Sequence, residues 1–230
     1  MRLDKFLSDV GIGSRNDVKK LIKAGKIRVN DNMVKALDTK INETTDKVYL
    51  DDEILEFREF RYYIINKPAG VLSALHDKND TTVMDILPDF VITKNLIIAG
   101  RLDKDTEGLL LLTTDGKFSH QLLSPKNHIP KTYFVRLENP VNEQDIARLE
   151  KGVVISDNGE KYKTKPAIAK IISENEIELT ITEGKFHQIK KMAHAIDNEV
   201  IFLKRTAFGK LTIGEMQTGE VREISKDEIL

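Results

Sequence analysis

The chemistry available to this chain is most concentrated in Gly100-Arg101-Leu102-Asp103-Lys104-Asp105-Thr106-Glu107-Gly108, which runs directly into Leu109-Leu110-Leu111-Leu112. The charged loop lies between two apolar runs, Asn95 to Ala99 and Leu109 to Leu112, that read as buried strands, so its carboxylates are held beside a core. Burying a carboxylate is costly unless a partner compensates it. A carboxylate fixed there is therefore either a structural ion pair or a catalytic group. Asp103, Asp105, Glu107 and Gly108 also mimic the first half of a calcium loop. That register fails at its twelfth position, which is Thr114 rather than Glu, and the flanks read as strands rather than helices.

Three further segments carry side chains suited to a cleft. Asn66-Lys67-Pro68-Ala69-Gly70 ends an apolar strand in a rigid turn, and Lys131-Thr132-Tyr133 sets an aromatic ring with a polar tip early in a strand. Thr182-Glu183-Gly184-Lys185-Phe186-His187-Gln188-Ile189-Lys190-Lys191-Met192 passes from a strand into a basic helix. His187 and His194 lie seven apart on that helix without the carboxylate-histidine spacing of a metal site, and His76, His120 and His128 form no constellation. With no cysteine in the chain, disulfides, Cys-ligated zinc and thiol catalysis are excluded. No metal and no cofactor is expected.

The elements that must position these residues fall into two groups. At 230 residues and 40% hydrophobic composition the chain can bury a real core. It contains no apolar stretch of the roughly 18 to 20 residues that a membrane span needs. Its start, Met1-Arg2-Leu3-Asp4-Lys5, lacks an apolar signal core, so a soluble cytoplasmic protein without a membrane partner is expected, acting as a monomer. The net charge is −1, yet residues 1 to 40 hold ten bases against five acids.

Leu3, Phe6, Leu7 and Val10 share one helical face, and Gly11-Ile12-Gly13 breaks that helix. Ser14 and Asp17 form a capping-box pattern for a second helix, which turns Val18, Leu21 and Ile22 inward and Lys19, Lys20 and Lys23 outward. Lys26 to Asn30 and Val48 to Leu50 read as strands, and the charge-rich segment from Asp51 to Phe60 reads as a linker. Beyond it, strands are expected at Tyr62–Ile65, Lys131–Leu137, Ala167–Ile172, Ile177–Thr182 and Val200–Leu203. Helices are expected near Asp115–Leu123, Glu143–Lys151 and His187–Ile196. A hairpin through Ser173-Glu174-Asn175 favours an α+β domain with a largely antiparallel sheet over a doubly wound one.

The order of the N-terminal motifs, Arg-Leu-Asp-Lys-Phe-Leu, Gly-Ile-Gly-Ser-Arg, then Leu-Ile-Lys-Ala-Gly-Lys-Ile-Arg-Val-Asn, resembles the S-four RNA-binding domain. The resemblance implies a module that docks on structured RNA through Arg2, Lys5, Arg15, Lys19, Lys23, Lys26 and Arg28. Such phosphate contacts position RNA without reading its sequence. The four later segments occur in the order found in pseudouridine synthases of the RsuA type. That resemblance covers nearly the whole chain and implies two parts: residues 1–58, the S-four domain with its linker, and residues 59–230, a catalytic domain with a mainly antiparallel mixed sheet, flanking helices and a central cleft.

The implied reaction detaches uracil from its sugar, rotates it and rejoins it through carbon 5, with no redox step. By resemblance Asp103 is the catalytic carboxylate, Lys190 its cationic partner, and Tyr133 the ring that stacks on uracil and helps remove the carbon-5 proton. Arg101 would occupy the space of the extruded base. Leu102, Ile189, Gln188, His187, Lys67 and Asn66 would contact the substrate, whereas Asp105 and Glu107 would shape the loop. Glu-Gly-x-x-His-Gln-x-Lys and the short C-terminus resemble the branch acting on small-subunit ribosomal RNA, which implies uridine 516 of 16S RNA. Two alternatives stand beside it: a member of the family acting on 23S RNA, and an S-four assembly protein that binds ribosomal RNA without chemistry.

Overall fold

The computed structural model describes residues 1–157 and 159–229, and the chain divides into two compact units. Met1–Arg61 together with Ile92–Lys94 form the first, and Tyr62–Val91 with Asn95–Leu230 the second.

In the first unit α1 (Leu3–Asp9) and α2 (Arg15–Lys23) pack on a small antiparallel sheet. Its strands are β1 (Ile27–Val29), β2 (Asn32–Met33), β3 (Val48–Leu50) and β4 (Glu53–Leu55), in the order β2-β1-β3-β4. Leu3, Phe6, Leu7, Val18, Ile22, Ile27 and Val48 make the core. The capping box at the start of α2 is present: Ser14 accepts from the Asp17 amide and its own amide donates to the Asp17 carboxylate. The charge-rich segment read as a linker holds β4, which pairs with β3 from Val48↔Leu55 to Leu50↔Glu53. Short strands with exposed charges lack the apolar alternation that marks a strand in sequence.

The second unit is built on one mixed sheet. Its elements are β5 (Tyr62–Lys67), β6 (Ile97–Ala99), β7 (Glu107–Thr113), α3 (Gly116–Leu123), β8 (Lys131–Leu137) and α4 (Glu143–Lys151). There follow β9 (Val154–Asp157), β10 (Glu160–Lys163), β11 (Ile168–Ser173), β12 (Glu176–Ile181), α5 (Gln188–His194), β13 (Val200–Phe208), β14 (Leu211–Thr212) and β15 (Val221–Ile224). The sheet order is β11-β12-β8-β13-β7-β5-β15, with β6 added on β7 and β14 on β13; β9 and β10 form a separate hairpin. All pairings in the large sheet are antiparallel except β13 with β7, which matches only Lys204↔Glu107 and Arg205↔Gly108.

The leucine run explains the layering. Side chains alternate across a strand, so Leu110 and Leu112 enter the core shared with Tyr63, Ile65, Val135, Leu179 and Met192. Leu109 and Leu111 enter the opposite core with Tyr62, Ile64, Phe118, Leu122 and Phe208. A strand covered on both faces reads as an unbroken apolar run. β8 instead buries Tyr133, Val135 and Leu137 while Arg136 is exposed, and so contributes one face to the core.

Two strand boundaries differ from expectation for identifiable reasons. β13 continues to Phe208 rather than ending at Leu203, because Lys204-Arg205-Thr206 interrupts the apolar run while the buried Arg205 donates to backbone carbonyls. β15 and the β9–β10 hairpin were not expected: β15 is four residues long, and β10, Glu-Lys-Tyr-Lys, is mostly exposed. Among the described residues no helix is long and apolar enough to cross a membrane.

Candidate active site

Everything in the site begins with how the loop from Gly100 to Thr106 is held. Its backbone is tied at three points from outside, at Gly100, Leu102 and Lys104, and closed by one turn of its own. The Arg205 guanidinium donates to the Gly100 carbonyl at 2.9 Å. Ser73 Oγ accepts from the Leu102 amide at 3.1 Å and donates to the Leu102 carbonyl at 2.9 Å. The Thr106 amide closes a turn onto the Asp103 carbonyl at 3.1 Å. The Lys104 carbonyl accepts from the Gly70 amide at 2.8 Å and from Lys67 Nζ at 3.2 Å. A side chain on such a loop is pre-positioned, because the backbone cannot move without losing several hydrogen bonds.

The loop borders a cleft of about 850 Å³. Tyr133 of β8 lies in its wall, 8% exposed, and Ile189 at 5% exposure faces both this cleft and the core. Leu102 behaves the same way: it lines the cleft and packs into the core, anchoring the loop. Arg101 stands exposed at the rim. Seven lysines and arginines line the cleft against two carboxylates, Asp103 and Glu183. The chain as a whole carries −1, so the cleft is a strongly positive region in a nearly neutral protein.

Asp103 keeps 28% of its side chain exposed, with Lys190 Nζ 3.6 Å from Oδ2 and His187 Nε2 3.6 Å from Oδ1. The Lys190 ammonium and the His187 ring approach at ion-pair distance without making a hydrogen bond. Lys190 makes its close contacts elsewhere: its Nζ donates to both carboxylate oxygens of Asp105 at 2.7 Å. Burial would push the Asp105 carboxyl up, but the hydrogen bond and charge of Lys190 outweigh it and hold that group below the usual range. Lys190, expected as the partner of Asp103, thus also binds Asp105, which was expected to shape the loop. Two carboxylates two residues apart in a loop cannot be ranked by spacing.

The junction into α5 is equally constrained. Gln188, 4% exposed, donates from Nε2 to Glu183 Oε1 at 2.6 Å and accepts from the Lys185 amide at 2.8 Å. Glu183 also accepts from the Tyr162 hydroxyl and the Lys165 amide. Gln188 therefore fixes the strand-to-helix turn. It leaves His187 in a left-handed conformation (φ 51°), its ring stacked on Phe186 at 3.8 Å and turned toward Asp103.

Asn66 and Lys67 do not face the cleft, contrary to expectation. Both are fully buried. Asn66 donates to the Met216 carbonyl, and Lys67 Nζ donates to the carbonyls of Pro68, Val71 and Lys104. Burial pushes the Lys67 amine down to about 8 in spite of the carboxylates of Asp105, Glu107 and Asp103 nearby. It braces the loop from beneath. Sequence reasoning assigned no role to Arg205, or to Lys131 within its Lys-Thr-Tyr segment, yet both line the cleft.

In the first unit, Lys19 and Lys23 of α2 are exposed and Arg15 begins the same helix. Arg28 stacks over the Tyr49 ring at 3.8 Å, Lys26 lies 3.5 Å from Asp51, and Arg2 pairs with Asp4 at 2.9 Å. Lys5 is exposed on α1.

A family model described as RNA pseudouridylate synthase matches residues 61–195, and a model of the S4 domain matches residues 1–46. An uncharacterized RNA pseudouridine synthase of Bacillus subtilis is 45% identical over 100% of this chain and 97% of its own length. Ribosomal small subunit pseudouridine synthase A of Haemophilus influenzae is 38% identical, and its Escherichia coli K12 counterpart 36%, each over 100% of this chain and 98% of the relative. A crystal structure of a pseudouridylate synthase superposes with a TM-score of 0.69 at 36% identity, covering 100% of this chain and 98% of that one. With the family model matching more than half of the residues and relatives matching end to end, the chain belongs to the RNA pseudouridylate synthases and carries an N-terminal S4 domain.

Proposed function

We propose that the protein isomerises a uridine of ribosomal RNA to pseudouridine, that the target is uridine 516 of 16S RNA, and that Asp103 is the catalytic carboxylate. The observation that carries this reading is the placement of Asp103: an accessible carboxylate on a tied loop, facing a positive cleft, with the Lys190 ammonium and the His187 ring each at 3.6 Å. The curated relatives that match end to end and are named for the small subunit support the choice of RNA.

The residues then divide the work. Asp103, with Lys190 and His187 beside it, acts at the sugar or the base of the target nucleotide. Tyr133 stacks on uracil and assists removal of the carbon-5 proton. Arg101, exposed at the rim, takes the space of the extruded base, which offsets the few kcal/mol that flipping costs. Ile189 and Leu102 supply apolar wall, and the cleft holds the freed uracil against its own sugar, so that rejoining is a local rotation. Residues 1–58 dock the RNA through the exposed cations of α2, with Lys26 and Arg28 beyond them.

Asp103→Asn is the decisive variant. Pseudouridine mapping on 16S RNA and on assembly intermediates should show product with the wild-type chain and none with the variant, while RNA affinity stays within about twofold. Turnover by Asp103→Asn would remove that carboxylate from the mechanism. Product at a 23S position instead would move the substrate, and binding without product by the wild-type chain would leave an assembly protein.

A further inference from the structure

The cleft is lined by two further cations, Lys131 and Arg205, that the chemistry at Asp103 does not use. Lys131 opens β8 and Arg205 lies in β13, opposite Tyr133 in the strand register; Phe208 lies opposite Lys131. One extra residue of β13 stands between Arg205 and Ala207, a bulge that shifts the register beside the cleft. The two cations approach the Phe208 ring at similar range, Lys131 Nζ at 5.4 Å and the Arg205 guanidinium at 5.5 Å from its centroid.

Neither cation has a carboxylate partner among the described residues. Lys131 Nζ donates to the Ile129 carbonyl, and Arg205, 1% exposed, donates to the carbonyls of Leu109 and Gly100. The two carboxylates of the cleft are committed: Asp103 to Lys190 and His187, Glu183 to Tyr162, Lys165 and Gln188. Two neighbouring desolvated cations without a counter-charge are costly for a folded protein and attract an anion. Burial and the charge of Arg205 together push the Lys131 amine down to about 8.

We infer that Lys131 and Arg205 form a subsite for one backbone phosphate of the bound strand, next to the nucleotide held at Tyr133. Lys131 and Tyr133 are two residues apart on the same face of β8, hence about 7 Å apart along the strand. That is the scale separating a base from the phosphate of its own nucleotide. The phosphodiester supplies the missing negative charge, and Lys131 recovers its proton affinity as it binds. This inference rests on the RNA reading above.

The test measures the Kd of the full chain for a 16S fragment in which the phosphates flanking the target uridine are replaced one at a time by neutral methylphosphonate. One position is expected to weaken wild-type binding about tenfold, the worth of one charged hydrogen bond. Lys131→Gln should weaken binding to the unmodified RNA by a similar factor and become insensitive at that position only, with its salt slope lowered by about 0.7. Lys131→Arg, which keeps the charge, should keep that sensitivity and most of the affinity. If Lys131→Gln fails to fold, the wild-type scan and Lys131→Arg decide alone. A scan with no sensitive position, or equal effects at every position in wild type and variants, overturns the subsite. Competition by inorganic phosphate with no sensitive backbone position would mean a free-anion site and overturns it too. A wild-type chain without affinity for RNA overturns the reading beneath it, a result that the unmodified fragment reveals first.

Discussion

Two carboxylates share one lysine in this site. Lys190 sits 2.7 Å from both oxygens of Asp105 and 3.6 Å from Asp103. Lys190→Met should lower kcat about 100-fold, the scale of one removed electrostatic contact in an active site, with Lys190→Arg restoring most of it. Asp105→Asn should cost less than about tenfold, because it releases Lys190 toward Asp103; single-turnover rates separate the two cases. An Asp105 variant as damaged as Lys190→Met would assign Asp105 a direct part in the chemistry.

The buried amines carry a signature in stability as well. Lys67 and Lys131 lie near 8 in the fold against 10.5 in the open chain. From about pH 8 to 10.5 the unfolded chain holds more protons at these two positions, so their contribution to stability rises with pH. Urea unfolding across that window should show the Lys131→Met variant gaining less with rising pH than the wild-type chain does; an identical dependence would remove the perturbed lysine. At this scale the sequence named Asp103, Tyr133 and Lys190 through motif order. It could not show Arg205, whose burial depends on carbonyls more than ninety residues away in the chain.

Among the elements, β7 was the most legible, because four consecutive leucines between charged loops read as a strand covered on both faces, and both cores take them. The observed limits of β8 and α4, Lys131–Leu137 and Glu143–Lys151, coincide with those expected. The end of β13 does not, since a charged pair in mid-strand mimics a strand end. The same β13 dictates a glycine that no motif explains. Gly108 has φ 106°, and a Cβ there would lie 2.2 Å from the Arg205 carbonyl oxygen and 2.7 Å from its amide nitrogen. Both atoms are backbone and cannot yield. Gly108→Ala should destabilise the protein by about 3 kcal/mol through overpacking and a disfavoured φ, read as a lowered urea midpoint. A variant with an unchanged midpoint would mean that β13 gives way at the bulge.

At the scale of the whole molecule the charge is divided, although the total is −1. The cleft is positive, and so are residues 1–40, with ten bases against five acids, where Lys19 and Lys23 stand on an exposed face of α2 with no ion pair among the described residues. Reversing both to Glu should weaken RNA binding and lower its salt slope by about 1.4 to 1.8, the value for two lost phosphate contacts, while single-turnover chemistry at saturating RNA stays near normal. An unchanged slope would move the docking surface elsewhere. The basic N-terminal unit was legible because charge asymmetry needs no tertiary contact to be counted, whereas β4 was hidden in a stretch that composition alone marks as a linker. One feature of the sheet reaches further than the site it supports. β13 and β7 are matched at two positions, whereas β5 and β7 are matched at six and β8 and β13 at seven. The sheet is in effect two well-knit panels joined by a short hem, and the cleft opens along that hem, with Asp103 on the loop entering one panel and Tyr133 on the other. Amide protons of Gly108 and Arg205 should therefore exchange with solvent sooner than those within either panel, giving the molecule a place to flex when a bulky nucleotide enters or leaves.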